Sequence, residues 1–169
     1  MKYRIESEFP CDRDTLIRVM YSEGIAEKLL PSMKSVREVQ TLSRDEKDGR
    51  VRRRVRYLPV PMISSVGPKK VEPQWMEWVE ESDVDLKAGR ATYRNVPTTA
   101  GVAKLLKNGG EVEFVALGPG RTRRILSGEL KVDVFVLGAI AERVIYGHAK
   151  DLVDEEAAAL RRYIEGGGR

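Results

Sequence analysis

His148 is the only histidine in the chain, and it stands three residues before Asp151. An imidazole beside a carboxylate can orient a ligand or move a proton near neutral pH. No nucleophile accompanies the pair: G-x-S-x-G and H-E-x-x-H are absent, and so is a glycine-rich phosphate loop. A half-buried histidine hydrogen-bonded to its neighbours is the simpler reading, and no catalytic residue is assigned. Arg53 and Arg124 fall on the otherwise apolar phases of alternating stretches. A buried guanidinium requires a partner, either Glu80 inside the protein or the anionic head of a ligand. Tyr57 shares the phase of Arg53, while Trp78 and Tyr93 are large enough to wall a cavity or fill a core. A single cysteine, Cys11, excludes an internal disulfide and a cysteine-based zinc site. No pattern requires a metal or a cofactor.

These residues must be positioned by strands and one long helix. Tyr3, Ile5, Ser7 and Phe9 alternate with charged residues, which predicts a half-buried strand over Lys2–Phe9. Two short helices follow, the first capped by Asp12 or Asp14 and the second closed by Pro31. Strands are predicted at Val36–Leu42 and Arg50–Tyr57, joined by a turn from Asp45 to Gly49. Further strands are predicted at Gln74–Ser82, Arg90–Val96, Glu111–Leu117 and Arg121–Asp133. Gly128, within the last, suggests a bulge or a bend. Arg52, Arg54 and Arg56 share the outer phase of their strand. Such a row can meet phosphates, but aromatic interleaving is thin, and nucleic acid is not expected as a partner.

From about Val134 to Ile164 the apolar residues recur at spacings of three and four, with Leu137, Ala141, Val144, His148 and Leu152 on one stripe. Asp133 is the expected N-cap, and Gly166, Gly167 and Gly168 end the helix, leaving 166–169 as a flexible tail. The stripe is expected to pack against the concave side of a curved antiparallel sheet of about seven strands. The stretch from Leu58 to Lys70 breaks every pattern, with two prolines around Val60, Met62 and Ile63. It reads as a lid over a cavity mouth. Its apolar tip beside Lys69 and Lys70 suits transient contact with an anionic membrane.

At 169 residues one domain is the default. A 41% hydrophobic composition is that of a folded chain, and no run approaches the roughly 20 apolar residues that cross a bilayer. The first residues lack the apolar region of a signal peptide, so a cytoplasmic location is expected. The formal net charge of +4 mildly favours anionic partners, against a background of mixed surface charge.

The element order, a strand, two short helices, six strands and a long helix, resembles the helix-grip layout of the START-like, Bet v1-like (SRPBCC) superfamily. The stretch Glu80-Glu81-Ser82-Asp83-Val84-Asp85, followed by Tyr93-Arg94-Asn95, resembles the E-x-S-x-V-D…N hairpin of PRELI-like lipid-transfer proteins. In those a proline-containing lid precedes the hairpin, as Leu58 to Lys70 does here. The chain also resembles an uncharacterised bacterial family of the superfamily. The resemblance implies one START-like α+β domain over residues 1–169 and a cavity between sheet and long helix. It implies non-catalytic binding or transfer of a hydrophobic or amphipathic molecule, with a lipid as first candidate. Arg53, Tyr57, Trp78, Glu80, Tyr93, Arg124, Val144, His148 and Asp151 are the expected ligand contacts. Two alternatives stay open: a polyketide-cyclase-type enzyme acting on a hydrophobic substrate, and a ligand-gated regulatory or stress module.

Overall fold

The computed structural model describes residues 1–61, 65–66, 69–70, 72–135 and 138–168. β1 (Lys2–Phe9) buries Ile5, Ser7 and Phe9 and turns its charged residues outward, as alternation requires. α1 (Arg13–Met20) and α2 (Ile25–Leu29) follow, separated by Gly24 in the left-handed region at φ 68°. Asp12 stands at the N-cap of α1, yet its carboxylate accepts from the Gly120 N–H at 2.9 Å.

β2 (Val36–Lys47) and β3 (Arg50–Pro59) form a hairpin through Asp48 and Gly49, both at positive φ. The turn expected from Asp45 is therefore only two residues long. Two register shifts in β2 turn Val39 toward the core and leave Leu42 exposed, so plain alternation fails there. β3 carries Leu58 and Pro59 as well, Pro59 closing the strand opposite Val36, so the predicted loop starts later than read. Inside that loop β4 (Ser65–Val66) pairs with β5 (Lys69–Lys70).

A 3-10 turn over Pro73–Met76 replaces the strand start expected at Gln74, because proline suits the first helical turn. β6 (Trp78–Asp85) and β7 (Arg90–Pro97) make the next hairpin. α3 (Ala100–Leu105) leads into β8 (Leu106–Gly118), which begins five residues before the predicted Glu111. Asn108, Gly109 and Gly110 read as loop, yet a Cβ on Gly110 would overlap the Ser127 carbonyl oxygen. The glycine is there because the neighbouring strand crowds it. β9 (Arg121–Val132) closes the series, and its pairing passes Gly128 without the expected bulge.

The sheet order is β1-β9-β8-β7-β6-β3-β2, antiparallel throughout. α4 (Gly138–Glu165) lies against β9 and β1. Its described part begins at Gly138, and Val134 and Phe135, next to the expected N-cap Asp133, are not helical; a Cβ at 138 would stand 2.5 Å from the Val132 carbonyl oxygen, so that position is kept as glycine. At its far end the N–H groups of Gly166, Gly167 and Gly168 bond to the carbonyls of Arg162, Ile164 and Tyr163. These bonds cap the helix end, as the glycines predicted. The class is α+β, with a curved antiparallel sheet wrapped on a long C-terminal helix.

The core is concentrated at one end. Leu16, Ile17, Ile25 and Leu29 of α1 and α2 meet Phe9, Val51, Val84 and Phe114 of the sheet, and Ala157, Ala159 and Leu160 of α4. The middle of α4 is not packed on the sheet in this way. Ile140 and Val144 are exposed, and Leu137 lies outside the described residues. Among the described residues no helix is long and apolar enough to cross a membrane.

Candidate functional site

Between the middle of α4 and the sheet lies a cavity of about 600 Å³. Strand alternation builds its walls: Tyr3 and Ile5 of β1, Tyr57 of β3, Trp78 of β6, Tyr93 of β7, and Leu126 and Leu130 of β9 share the inner face. α4 contributes Ile145, Ala149, Leu152 and Val153. Tyr57 and Trp78 stack at 5.4 Å, their planes 14° apart, forming one flat aromatic wall. Trp75 and Val144 line the space and also reach solvent, 40% and 41% exposed, which marks the mouth.

The inner end, next to the core, is charged. Arg53 is 5% exposed; it donates to Glu80 Oε1 at 3.1 Å and to the Met20 carbonyl at 3.0 Å, and its plane lies over the Tyr21 ring. Arg124 is 2% exposed and pairs with Glu156 of α4 at 2.5 Å. Burial pushes the Glu80 carboxyl up, the Arg53 charge opposes that, and Glu156 adds to the rise. For Arg53 burial works against the charge, but Glu80, Tyr57 and Tyr21 together more than offset it and the guanidinium is held above its usual range.

Burial also raises the Tyr57 and Tyr21 hydroxyls. On the opposite wall Tyr3 and Tyr93 share a 2.5 Å hydroxyl contact, and Tyr3 donates to Asn108 Oδ1 at 2.6 Å. Gly128 makes room for this group: a Cβ there would stand 2.5 Å from the Tyr93 hydroxyl and 2.7 Å from that of Tyr3. Asn95 also lines the cavity; its Oδ1 is buried and, among the described residues, without a hydrogen-bond partner, as is Nε of Arg53.

Of the residues expected from sequence, Arg53, Tyr57, Trp78, Glu80, Tyr93, Arg124, Val144 and His148 all line this one cavity. Asp151 does not. It is exposed, and the acid that α4 turns inward is Glu156. The cavity face of α4 centres on Ile145, Leu152 and Glu156, about 60° from the predicted stripe at 100° per residue. Val60 is exposed and its N–H bonds to the Ser35 carbonyl. Met62 and Ile63 lie outside the described residues, as do the side chains of Lys69 and Lys70. Sequence reading missed Glu156, Asn95, Tyr3 and Asn108. Asn95 could have been found two residues on from Tyr93, Tyr3 two before Ile5, and Glu156 one turn after Leu152.

The outer arginines do not form a free basic stripe. Arg50 and Arg52 reach Asp83, Arg54 reaches Glu81, and Arg56 reaches Glu38 and Glu77. Among the described residues no group of three or more His, Cys, Asp or Glu side chains could hold a metal ion.

A family model described as "Protein of unknown function (DUF2505)" matches residues 4–164. No curated protein matches the chain in sequence. Solved structures match over its whole length. TTHA0849 from Thermus thermophilus is 19% identical at a TM-score of 0.70, covering 100% of both chains. The ZhuI aromatase/cyclase from Streptomyces sp. R1128 is 15% identical at 0.66, covering 99% of this chain and 98% of its own. Norcoclaurine synthase from Thalictrum flavum, in complex with dopamine and hydroxybenzaldehyde, is 15% identical at 0.65, covering 96% and 87%. At these identities the likeness shows the fold, which is the Bet v1-like helix grip.

Proposed function

The chain belongs to the family described as "Protein of unknown function (DUF2505)", and we propose that it binds a hydrophobic or amphipathic small molecule in the cavity between sheet and α4. A lipid is the first candidate. The observation that carries this reading is the cavity: about 600 Å³ of mainly apolar wall that carries a limited set of polar groups. Burying apolar ligand surface there yields about 25 cal/mol per Å², and the polar groups set the orientation. No covalent step is required. The residues act as one START-like domain, and its ligand contacts are the lining residues named above, with Glu156 in place of Asp151.

Loading from a membrane suits this architecture. Phe135 is 95% exposed and Ile140 60%, close in sequence to Val144 at the cavity mouth, with Lys131 and Arg143 nearby in the chain. Apolar and basic residues together favour an anionic bilayer surface.

Native mass spectrometry of the purified chain, with binding of the neutral dye N-phenyl-1-naphthylamine, tests the binding reading. Leu152→Trp fills the cavity and is expected to abolish dye binding while the chain stays folded. Undiminished dye binding in that variant would place the site elsewhere.

A second reading, a cyclase-type enzyme, is favoured by one observation: a half-buried carboxyl pushed up while paired with a buried arginine, Glu80 with Arg53, can hold and deliver a proton. ZhuI is an aromatase/cyclase of the same fold. Turnover of a polyketide-type substrate that is lost in Glu80→Gln, with dye binding intact, would move the assignment to this class.

A further inference from the structure

The charges that face the cavity decide what kind of head group it accepts. Two guanidiniums, Arg53 and Arg124, line it, and so do three carboxylates, Glu77, Glu80 and Glu156. Each has a partner. Arg53 is taken by Glu80, Arg124 by Glu156, and Glu77 by Arg56 from the outer face at 3.5 Å. An anionic head group entering this space would lose its hydration and, among the described residues, meet no guanidinium without a carboxylate partner; His148 of α4 is the other lining side chain able to carry a positive charge. The head group would also stand close to the carboxylates of Glu80 and Glu156. Desolvating a charge without a counter-charge is strongly unfavourable.

The unmet hydrogen-bonding capacity is of another kind. The Asn95 side chain makes no hydrogen bond within the described residues, and its Oδ1 is buried. Asn95 is the register partner of Glu80 across β6 and β7, so this amide stands beside the Arg53–Glu80 pair. Nε of Arg53 is likewise buried and without a partner among the described residues. An amide offers both a donor and an acceptor. A ligand hydroxyl or amide could satisfy it at no cost in buried charge.

Resting on the binding reading above, we propose that the cavity selects an amphipathic molecule with an uncharged hydrogen-bonding head, a hydroxyl or an amide, held at Asn95, and discriminates against carboxylate and phosphate heads. Specificity then comes from the internal ion pairs: by cancelling the arginines, Glu80 and Glu156 make the cavity reject anions.

The experiment displaces N-phenyl-1-naphthylamine from the full chain with decanol, decanoate or decylamine at about pH 8, where carboxylates are ionised. Decanol is expected to displace the dye at a concentration roughly 10-fold or more below that of decanoate, and below that of decylamine. Glu80→Gln keeps the shape and frees the Arg53 charge, so decanoate should gain on decanol by roughly 10-fold. Asn95→Leu should weaken decanol and leave decanoate unchanged. This variant removes a polar group that makes no internal bond, so it keeps the test open if Glu80→Gln does not fold. Decanoate or decylamine binding as tightly as decanol in the native chain overturns the proposal and leaves the binding reading standing. Failure of all three to displace a bound dye overturns it as well. A chain that binds no dye overturns the binding reading itself.

Discussion

Glu80 and Asn95 face each other across the β6–β7 ladder on the concave side of the sheet, and among the described residues only Glu80 has a polar partner. A buried polar atom left without a hydrogen bond costs about 1–3 kcal/mol. Replacing Asn95 with Leu removes that cost with little change of shape. The ligand-free Asn95→Leu variant should therefore be about 1 kcal/mol more stable in urea unfolding. A loss of stability would show that the amide is bonded in the free protein.

Arg124 and Glu156 join β9 to α4 across the inner end of the cavity. Breaking a buried pair strands one charge and costs about 3 kcal/mol, whereas replacing both partners with apolar residues is often close to neutral. Glu156→Leu should show that full loss. The double variant Arg124→Met with Glu156→Leu should recover most of it. Additive losses in the double-mutant cycle would mean that the two side chains act independently.

Much of this site was legible in the sequence wherever strands alternate without interruption. The β1–β9, β3–β6 and β6–β7 ladders run without a register shift, and strand phase was enough to place Arg53 and Arg124 on the inner face; Trp78, Glu80 and Tyr93 were singled out by size and charge. β2 was misread because two register shifts change which residues face in, and nothing local announces them. β8 was shortened because Gly109 and Gly110 look like loop residues, when they answer strand crowding from elsewhere in the chain. On α4 an apolar stripe around a cavity is less sharply defined than one packed on a core. An error of less than one residue step exchanged Asp151 for Glu156.

Glu8, Glu81, Asp83, Asp85 and Glu142 are held below their ordinary values. Arg123 and Arg121 act on Glu8, Arg94 on Glu81, and Arg50 on Asp83; backbone N–H groups act on Asp85 and Glu142. Such groups favour the folded chain once ionised. Their contribution is present above the unfolded carboxylate pKa of about 4 and is lost as pH falls through the lowered values. Glu80, raised by burial, acts with the opposite sign: its contribution is full below the unfolded value and fades as pH rises through the folded one. Stability should therefore fall steeply below about pH 4, and 0.5 M salt, on the order of a 4 Å screening length, should flatten that limb. An acid limb indifferent to salt would contradict the assignment to these mostly exposed pairs.

Gly128 supports the Tyr3–Tyr93 contact by having no side chain. A Cβ there would meet both hydroxyls, which can move, and also the Gly109 carbonyl oxygen at 2.7 Å, which is held in the sheet. Overpacking of this kind costs about 1–3 kcal/mol. Gly128→Ala should lose that much stability. Replacing Tyr93 with Phe in the same background should restore only part of it, because the backbone clash remains. Full restoration would locate the whole cost in the hydroxyls.

Phe135 provides the sharpest test of membrane loading. The aromatic ring just before α4 is 95% exposed, and surface substitutions of this kind usually change stability by less than about 0.5 kcal/mol. Ile140, 60% exposed on the first turns of α4, belongs to the same end of the helix as Val144 at the cavity mouth. If these side chains enter a bilayer, each removes apolar area from water at about 25 cal/mol per Å², while each nearby basic residue adds about 1 kcal/mol at an anionic surface. Phe135→Ser with Ile140→Ser should therefore lower sedimentation with phosphatidylserine-containing vesicles by roughly 10-fold or more. Thermal stability and dye binding should stay as in the native chain. Unchanged vesicle association would remove membrane loading from the mechanism, and a fall in stability would show that these side chains pack against the protein.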